Sequence, residues 1–208
     1  MAIRGQRAIY DPGRDDSPRG FPERAWRLAR SGALRAAQDA SASTLAAMRQ
    51  IRDAVRSCRA GRDCAGAVVT GPNGVGKTSL LARVALAESR AGQPIRYLSG
   101  VALTLEILTR DDAEDAVHDL QFFGRHRGLV VVDEADKCAG ARQYGQSHCL
   151  EFLRALVHAR ADAEAPTLLA GNLTREHAAA VLGADILDRL AWIEMAGASH
   201  RGVDDPSI

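Results

Sequence analysis

The sequence has no apolar run approaching the roughly 20 residues that a membrane-crossing helix requires, so no membrane segment is expected. Its first residues mix arginine with aspartate and contain no apolar h-region, so no secretory signal is expected and the cytoplasm is the expected location. Cysteine is sparse, and the spacing of Cys58, Cys64, Cys138 and Cys149 matches no zinc pattern. Cys58 and Cys64 could meet at a turn, but free thiols in a reducing compartment are the expectation. Lysine is nearly missing: Lys77 and Lys137 are the two, and arginine carries the remaining positive charge. There is no internal repeat and no low-complexity tract. Net charge is only +1 at pH 7.

The 208 residues, 46% hydrophobic and 25% charged, suit one globular domain with a short extension. Charge is unevenly spread. Residues 1–62 hold 13 Arg against 6 Asp or Glu, whereas residues 63–208 hold 14 Lys or Arg against 20 Asp or Glu. A basic arm for nucleic acid and a solvated arginine-rich helix both fit this asymmetry. Turn signals mark residues 1–21, a helix is expected from Pro22 to about Leu34, and a clearer one from Ser43 to Arg59. In the latter Leu45, Met48, Ile51, Val55 and Cys58 recur at helical spacing, with Arg49, Arg52, Arg56 and Arg59 on the other side.

The chain is organised around Gly71-Pro72-Asn73-Gly74-Val75-Gly76-Lys77-Thr78-Ser79, which fits the phosphate-loop pattern G-x-x-x-x-G-K-[ST]. Its glycines permit a tight turn whose N–H groups converge on an anion. Lys77 supplies positive charge for the β- and γ-phosphates of ATP, and Thr78 a hydroxyl for Mg²⁺. The context supports the pattern, because the apolar stretch 67–70 precedes it and helical spacing of Leu80, Leu81, Val84 and Ala85 follows.

Further strands are expected over 94–99, 128–132, 166–171 and 192–195. Helices are expected over 101–108, from 111 to Phe123, over 144–160, from Arg175 behind a Thr174 cap, and around 185–190. Strands alternating with helices predict an α/β fold with a five-stranded parallel sheet and ligand at the carboxyl ends of the strands. The third strand runs into Asp133-Glu134. Asp133 is expected to hold Mg²⁺, and Glu134 to position and deprotonate an attacking water. Asn172, after the fourth strand, either orients that water or caps the next turn.

Taken with Leu168-Leu169-Ala170-Gly171-Asn172-Leu173-Thr174, Ile186-Leu187-Asp188-Arg189-Leu190 and Ala198-Ser199-His200-Arg201, these motifs resemble the AAA+ helicase loaders of the DnaC and DnaI type. The transposition helper IstB is similar. Gly20-Phe21-Pro22-Glu23-Arg24 also looks like the stretch that precedes the ATPase core in such proteins. His200 departs from the pattern, standing where the family usually has an aromatic residue. The resemblance implies a P-loop NTPase fold of the AAA+ (ASCE) type without a C-terminal lid domain. It implies a basic extension over 1–62, an ATPase core over 63–201 and a tail over 202–208. Asn172 becomes a sensor residue, Arg189 an arginine finger serving a neighbouring subunit, and Arg201 a second sensor.

The implied activity is ATP hydrolysis that helps place a replicative, DnaB-like helicase on single-stranded DNA, in a homo-oligomer formed with ATP. The alternatives are an IstB-like helper of a transposase on double-stranded DNA, a small-molecule P-loop kinase, and a non-catalytic scaffold. Glu134, Asn172 and Arg189 argue against the kinase.

Overall fold

The computed structural model describes residues 25–27, 29, 42–101, 121, 123–139 and 146–196. Residues 1–24, most of the helices expected over 101–108 and 111–123, the Ser199-His200-Arg201 motif and the 202–208 tail lie outside the described residues. Within the helix expected from Pro22, residues 25–27 and 29 are helical.

Five short strands form the sheet: β1 (Gly66–Thr70), β2 (Ile95–Ser99), β3 (Leu129–Asp133), β4 (Thr167–Gly171) and β5 (Leu190–Glu194). Their order is β2-β3-β4-β1-β5 and every pairing is parallel. The described helices are α1 (Ala42–Arg59), α2 (Lys77–Arg90), α3 (Ala135–Ala139), α4 (Gln146–Asp162), α5 (Arg175–Leu182) and α6 (Ala184–Asp188). Among the described residues there is no helical lid domain, and no helix is long and apolar enough to cross a membrane.

The near-continuous apolar strands follow from burial on both faces. Side chains alternate between two cores. Ala67, Val69, Ile95, Tyr97, Leu129, Val131, Leu168 and Ala170 pack with α1 and α2. Val68, Leu98, Val130, Val132 and Leu169 pack with α3 to α6 on the other face. Helix α1 packs its apolar face into the first core although it falls in the basic segment 1–62. Met48, Ile51 and Val55 are buried there, Cys58 is buried near the helix end, and an Arg59–Glu88 ion pair of 2.6 Å ties α1 to α2. Arg49, Arg52 and Arg56 stay exposed on its other side.

The expected strands agree with the observed ones to within a residue, except at the end. Strand β5 begins at Leu190 rather than Trp192, and α6 stops at Asp188. No glycine or proline marks this stop. The ladder makes it instead: the Arg189 carbonyl accepts from the Ala65 amide at 2.6 Å, which starts the β1–β5 pairing. Thr174 caps α5 as expected, accepting from the His177 amide at 3.2 Å.

Arg160, fully buried near the end of α4, fastens the amino ends of β3 and β4. Nε donates to the Thr167 hydroxyl at 2.9 Å, Nη1 to the carbonyls of Phe123 (2.8 Å) and His126 (2.6 Å), and Nη2 to those of Gly128 (2.6 Å) and Pro166 (2.8 Å). All five guanidinium donors therefore have acceptors. Burial lowers its pKa to about 10, which leaves it charged at neutral pH. Burial, helped by the nearby guanidinium groups of Arg160 and Arg96, pushes the neighbouring His126 down to about 4, so this imidazole is neutral.

An Arg160→Lys substitution brings three donors to five acceptors, so at least two hydrogen bonds to the buried cation are lost. At about 1.5–3 kcal/mol per hydrogen bond to a charged group, urea unfolding should show a loss of about 3 kcal/mol. An unchanged urea midpoint would refute this account of the clamp.

Candidate functional site

The carboxyl ends of β1, β3 and β4 meet at one edge of the sheet, and most of the sequence-predicted site residues lie there. The loop 71–76 leaves β1 and enters α2 through Gly76, at φ 93° and ψ 19°. Gly71 has φ 140°, and a methyl group on it would lie 2.3 Å from the Met195 carbonyl oxygen, so the loop's first position has no room for a side chain. Val75 is buried and anchors the loop in the core, while Pro72 and Asn73 are exposed. Lys77, Thr78 and Ser79 form the first turn of α2, where helix N–H groups and dipole favour an anion. The Lys77 ammonium donates to the carbonyls of Gly71 at 2.6 Å and Pro72 at 2.9 Å, which draws the charge back over the loop.

Asp133 ends β3 and is 4% exposed. The Thr78 hydroxyl donates to its Oδ2 at 2.6 Å, the Tyr97 hydroxyl to the same oxygen at 3.2 Å, and the Glu134 amide to Oδ1 at 2.9 Å. Thr78 and Asp133 thus bring two hard oxygen groups together beside the phosphate loop. That donor set fits Mg²⁺, which takes one or two protein oxygens and completes its shell with phosphates and water. Among the described residues no group of three or more His, Cys, Asp or Glu is placed to hold a metal by itself.

Glu134 is exposed and has φ 55°, a left-handed conformation that costs a non-glycine residue on the order of 1–3 kcal/mol. Several contacts impose it. Its amide is held by Asp133, its carbonyl accepts from the Lys137 amide at 2.9 Å, and Gly100 lies so close that a methyl there would be 2.2 Å from that carbonyl oxygen. The twist turns Glu134 out of the line of β3 at the mouth of the site. Asn172 is exposed just after β4, the strand between β3 and β1, with Gly171 level with Thr70.

Arg189 is elsewhere. It precedes Leu190, which pairs with Gly66 at the amino end of β1, and β5 is the edge strand. Five strand residues at about 3.3 Å each separate it from its own phosphate loop by roughly 16 Å. Its guanidinium is 3.8 Å from Asp162 of α4, not paired with Asp185 or Asp188; Asp185 pairs instead with His158 at 3.1 Å. Arg201 lies outside the described residues.

Sequence reasoning missed Tyr97 and Gly100. A tyrosine in a buried strand needs a partner for its hydroxyl, and that was the available signal. Burial, then the Asp133 charge and hydrogen bond, push the Tyr97 pKa up, so its hydroxyl keeps its proton and donates. Gly100 carried no signal, because its closeness to Glu134 exists only in the folded chain.

A family model for IstB-like ATP binding proteins matches residues 23–201. The chain belongs to this family. No curated protein sequence matches it. Among solved structures, a replication initiator DnaA bound to AMPPCP and single-stranded DNA is similar, with TM-score 0.58 and 12% identity over 72% of this chain and 45% of that one. DnaI is similar with TM-score 0.55 and 22% identity over 71% of this chain and 84% of that one. AMPPCP-bound DnaA from Aquifex aeolicus follows, with TM-score 0.51 and 13% identity over 62% and 39%. The chain spans less than half the length of these DnaA structures. At such identities the likeness shows the fold, which is the AAA+ P-loop fold of the IstB-like family.

In an IstB-like ATP binding protein with this loop, Lys77→Ala should abolish ATP binding by calorimetry, since it removes the charge from the phosphate cradle. Unchanged affinity would sink the assignment of the loop.

Proposed function

We propose that the chain is an ATP-hydrolysing AAA+ switch of the helicase-loader kind, working in the cytoplasm as a homo-oligomer on DNA. The reading rests on one observation: Lys77, Thr78, Asp133, Glu134 and Asn172 share the carboxyl edge of the sheet, while Arg189 sits on the amino edge at its border. A guanidinium there is remote from its own phosphates and suitably exposed for a neighbour's. In this scheme Lys77 and the loop amides bind the phosphates of ATP, Glu134 polarises the attacking water, and Asn172 helps orient it. Mg²⁺, when bound by Thr78 and Asp133, supplies charge neutralisation at the phosphates. Arg189 brings its charge to the adjoining subunit, so hydrolysis waits for assembly. Arg201 is proposed as a second sensor of the phosphates. ATP would favour the assembled, DNA-holding state, and hydrolysis would release it.

A second reading, a transposition helper on double-stranded DNA, is favoured by the family match to IstB-like proteins. Recovery of a replicative helicase or of a transposase with the native protein, together with its preference for single- or double-stranded DNA, separates the two readings.

Complementation tests the reading. Glu134→Gln and Arg189→Ala should each bind ATP and fail to hydrolyse it. Mixed, they should regain activity, because an Arg189→Ala subunit keeps Glu134 and borrows Arg189 from its neighbour. Losing an arginine finger costs about 10³–10⁵ in rate, so partial rescue is easily seen. A mixture as inactive as its parents, despite co-assembly, would count against Arg189 acting across subunits.

The exposed row Arg49, Arg52 and Arg56 on α1 is proposed to contact DNA phosphates. Deleting residues 1–62 would remove a core helix, so surface substitution is the suitable test. Replacing the three by glutamine should reduce the slope of log affinity against log salt by up to about 2, at roughly 0.7 per contact on single strands. The same slope in the variant would exclude this face.

A further inference from the structure

We propose that Tyr97 is a positioning residue for the Mg²⁺ end of the nucleotide site, its hydroxyl fixing the Asp133 carboxylate in the orientation that Thr78 also grips. The inference rests on the nucleotide-binding reading above and adds a residue from β2, a strand outside both sequence motifs.

Tyr97 stands beside Val131 in the β2–β3 register, two residues before Ser99, which is level with Asp133. Residues 97, 99, 131 and 133 therefore share one face of the sheet, the face covered by α2. The ring is 6% exposed and packs in the same core as Leu80, Leu81 and Val84. From that fixed base the hydroxyl donates to Asp133 Oδ2 at 3.2 Å, alongside the Thr78 hydroxyl at 2.6 Å. The Glu134 amide takes Oδ1 at 2.9 Å. Three donors from β2, α2 and the turn after β3 thus hold both carboxylate oxygens.

The grip bears on the metal through Thr78. Since Thr78 gives its proton to Oδ2, the lone pairs of its oxygen are turned away from the carboxylate. Any rotation of Asp133 re-aims the Thr78 hydroxyl. A hydroxyl on a buried ring resists that rotation, whereas phenylalanine would fill the same space and leave the carboxylate one donor short.

The test is Tyr97→Phe in the full chain, with a non-hydrolysable ATP analogue titrated by calorimetry in EDTA and across a Mg²⁺ series. Thermal melts set a temperature at which every variant is folded. In EDTA the variant should match the parent, because Lys77 and the loop are untouched. The affinity gained on adding Mg²⁺ should shrink about tenfold, the loss expected for a hydrogen bond to a charged group. An undiminished Mg²⁺ gain, even with a lower melting temperature, would overturn the inference and leave Tyr97 a core residue. In an Asp133→Ala background, which removes the acceptor, Tyr97→Phe should change neither affinity nor Mg²⁺ response; a further loss there would also overturn it. A parent protein that binds no analogue at all would overturn the nucleotide reading, whereas one that binds it but gains nothing from Mg²⁺ would overturn the inference alone.

Discussion

All five strands run the same way, and the rest of the molecule depends on that single direction. A parallel sheet has two chemically different edges. At the carboxyl edge the strands release the phosphate loop, Asp133, Glu134 and Asn172 within reach of one another. At the amino edge the chain enters the strands, and there it keeps Arg160 and Arg189. The division of labour between the two edges follows from topology before any side chain is considered.

The two arginines of the amino edge solve opposite problems. Arg160 has no carboxylate within its hydrogen-bond set, yet every N–H is matched by a neutral acceptor, so a buried cation is accommodated by dipoles. It holds the starts of β3 and β4 at a fixed spacing, and through them the far ends that carry Asp133 and Asn172. Arg189 is half-exposed, with a long and loose contact to Asp162. Such a surface pair contributes little to stability, so the side chain is available to another partner at small cost.

Much of this was legible in the sequence because strong local chemistry coincides with strong periodicity. The phosphate loop has few other uses, and the apolar strands around it have few other places to go. Strand positions came out nearly right where Gly or Asp marks the ends. They failed at Leu190, where the stop is made by the Ala65 amide, just before β1 and more than a hundred residues earlier in the chain. The contribution of Tyr97 was hidden for the same reason: its hydroxyl meets Asp133 across 36 residues of sequence. Nor could composition tell that the arginine-rich α1 is half core. Its apolar stripe predicts burial against something, but only the packing reveals that the partner is the sheet itself.

The left-handed turn at Glu134 has an evolutionary consequence. The backbone there would be relaxed by glycine, which pays no penalty at positive φ, whereas the chemistry proposed for the site needs a carboxylate. Stability and turnover therefore pull this one position in opposite directions. A lineage selected only to persist as a folded, nucleotide-bound protein would be free to drift towards glycine at 134 and grow hardier as it fell silent.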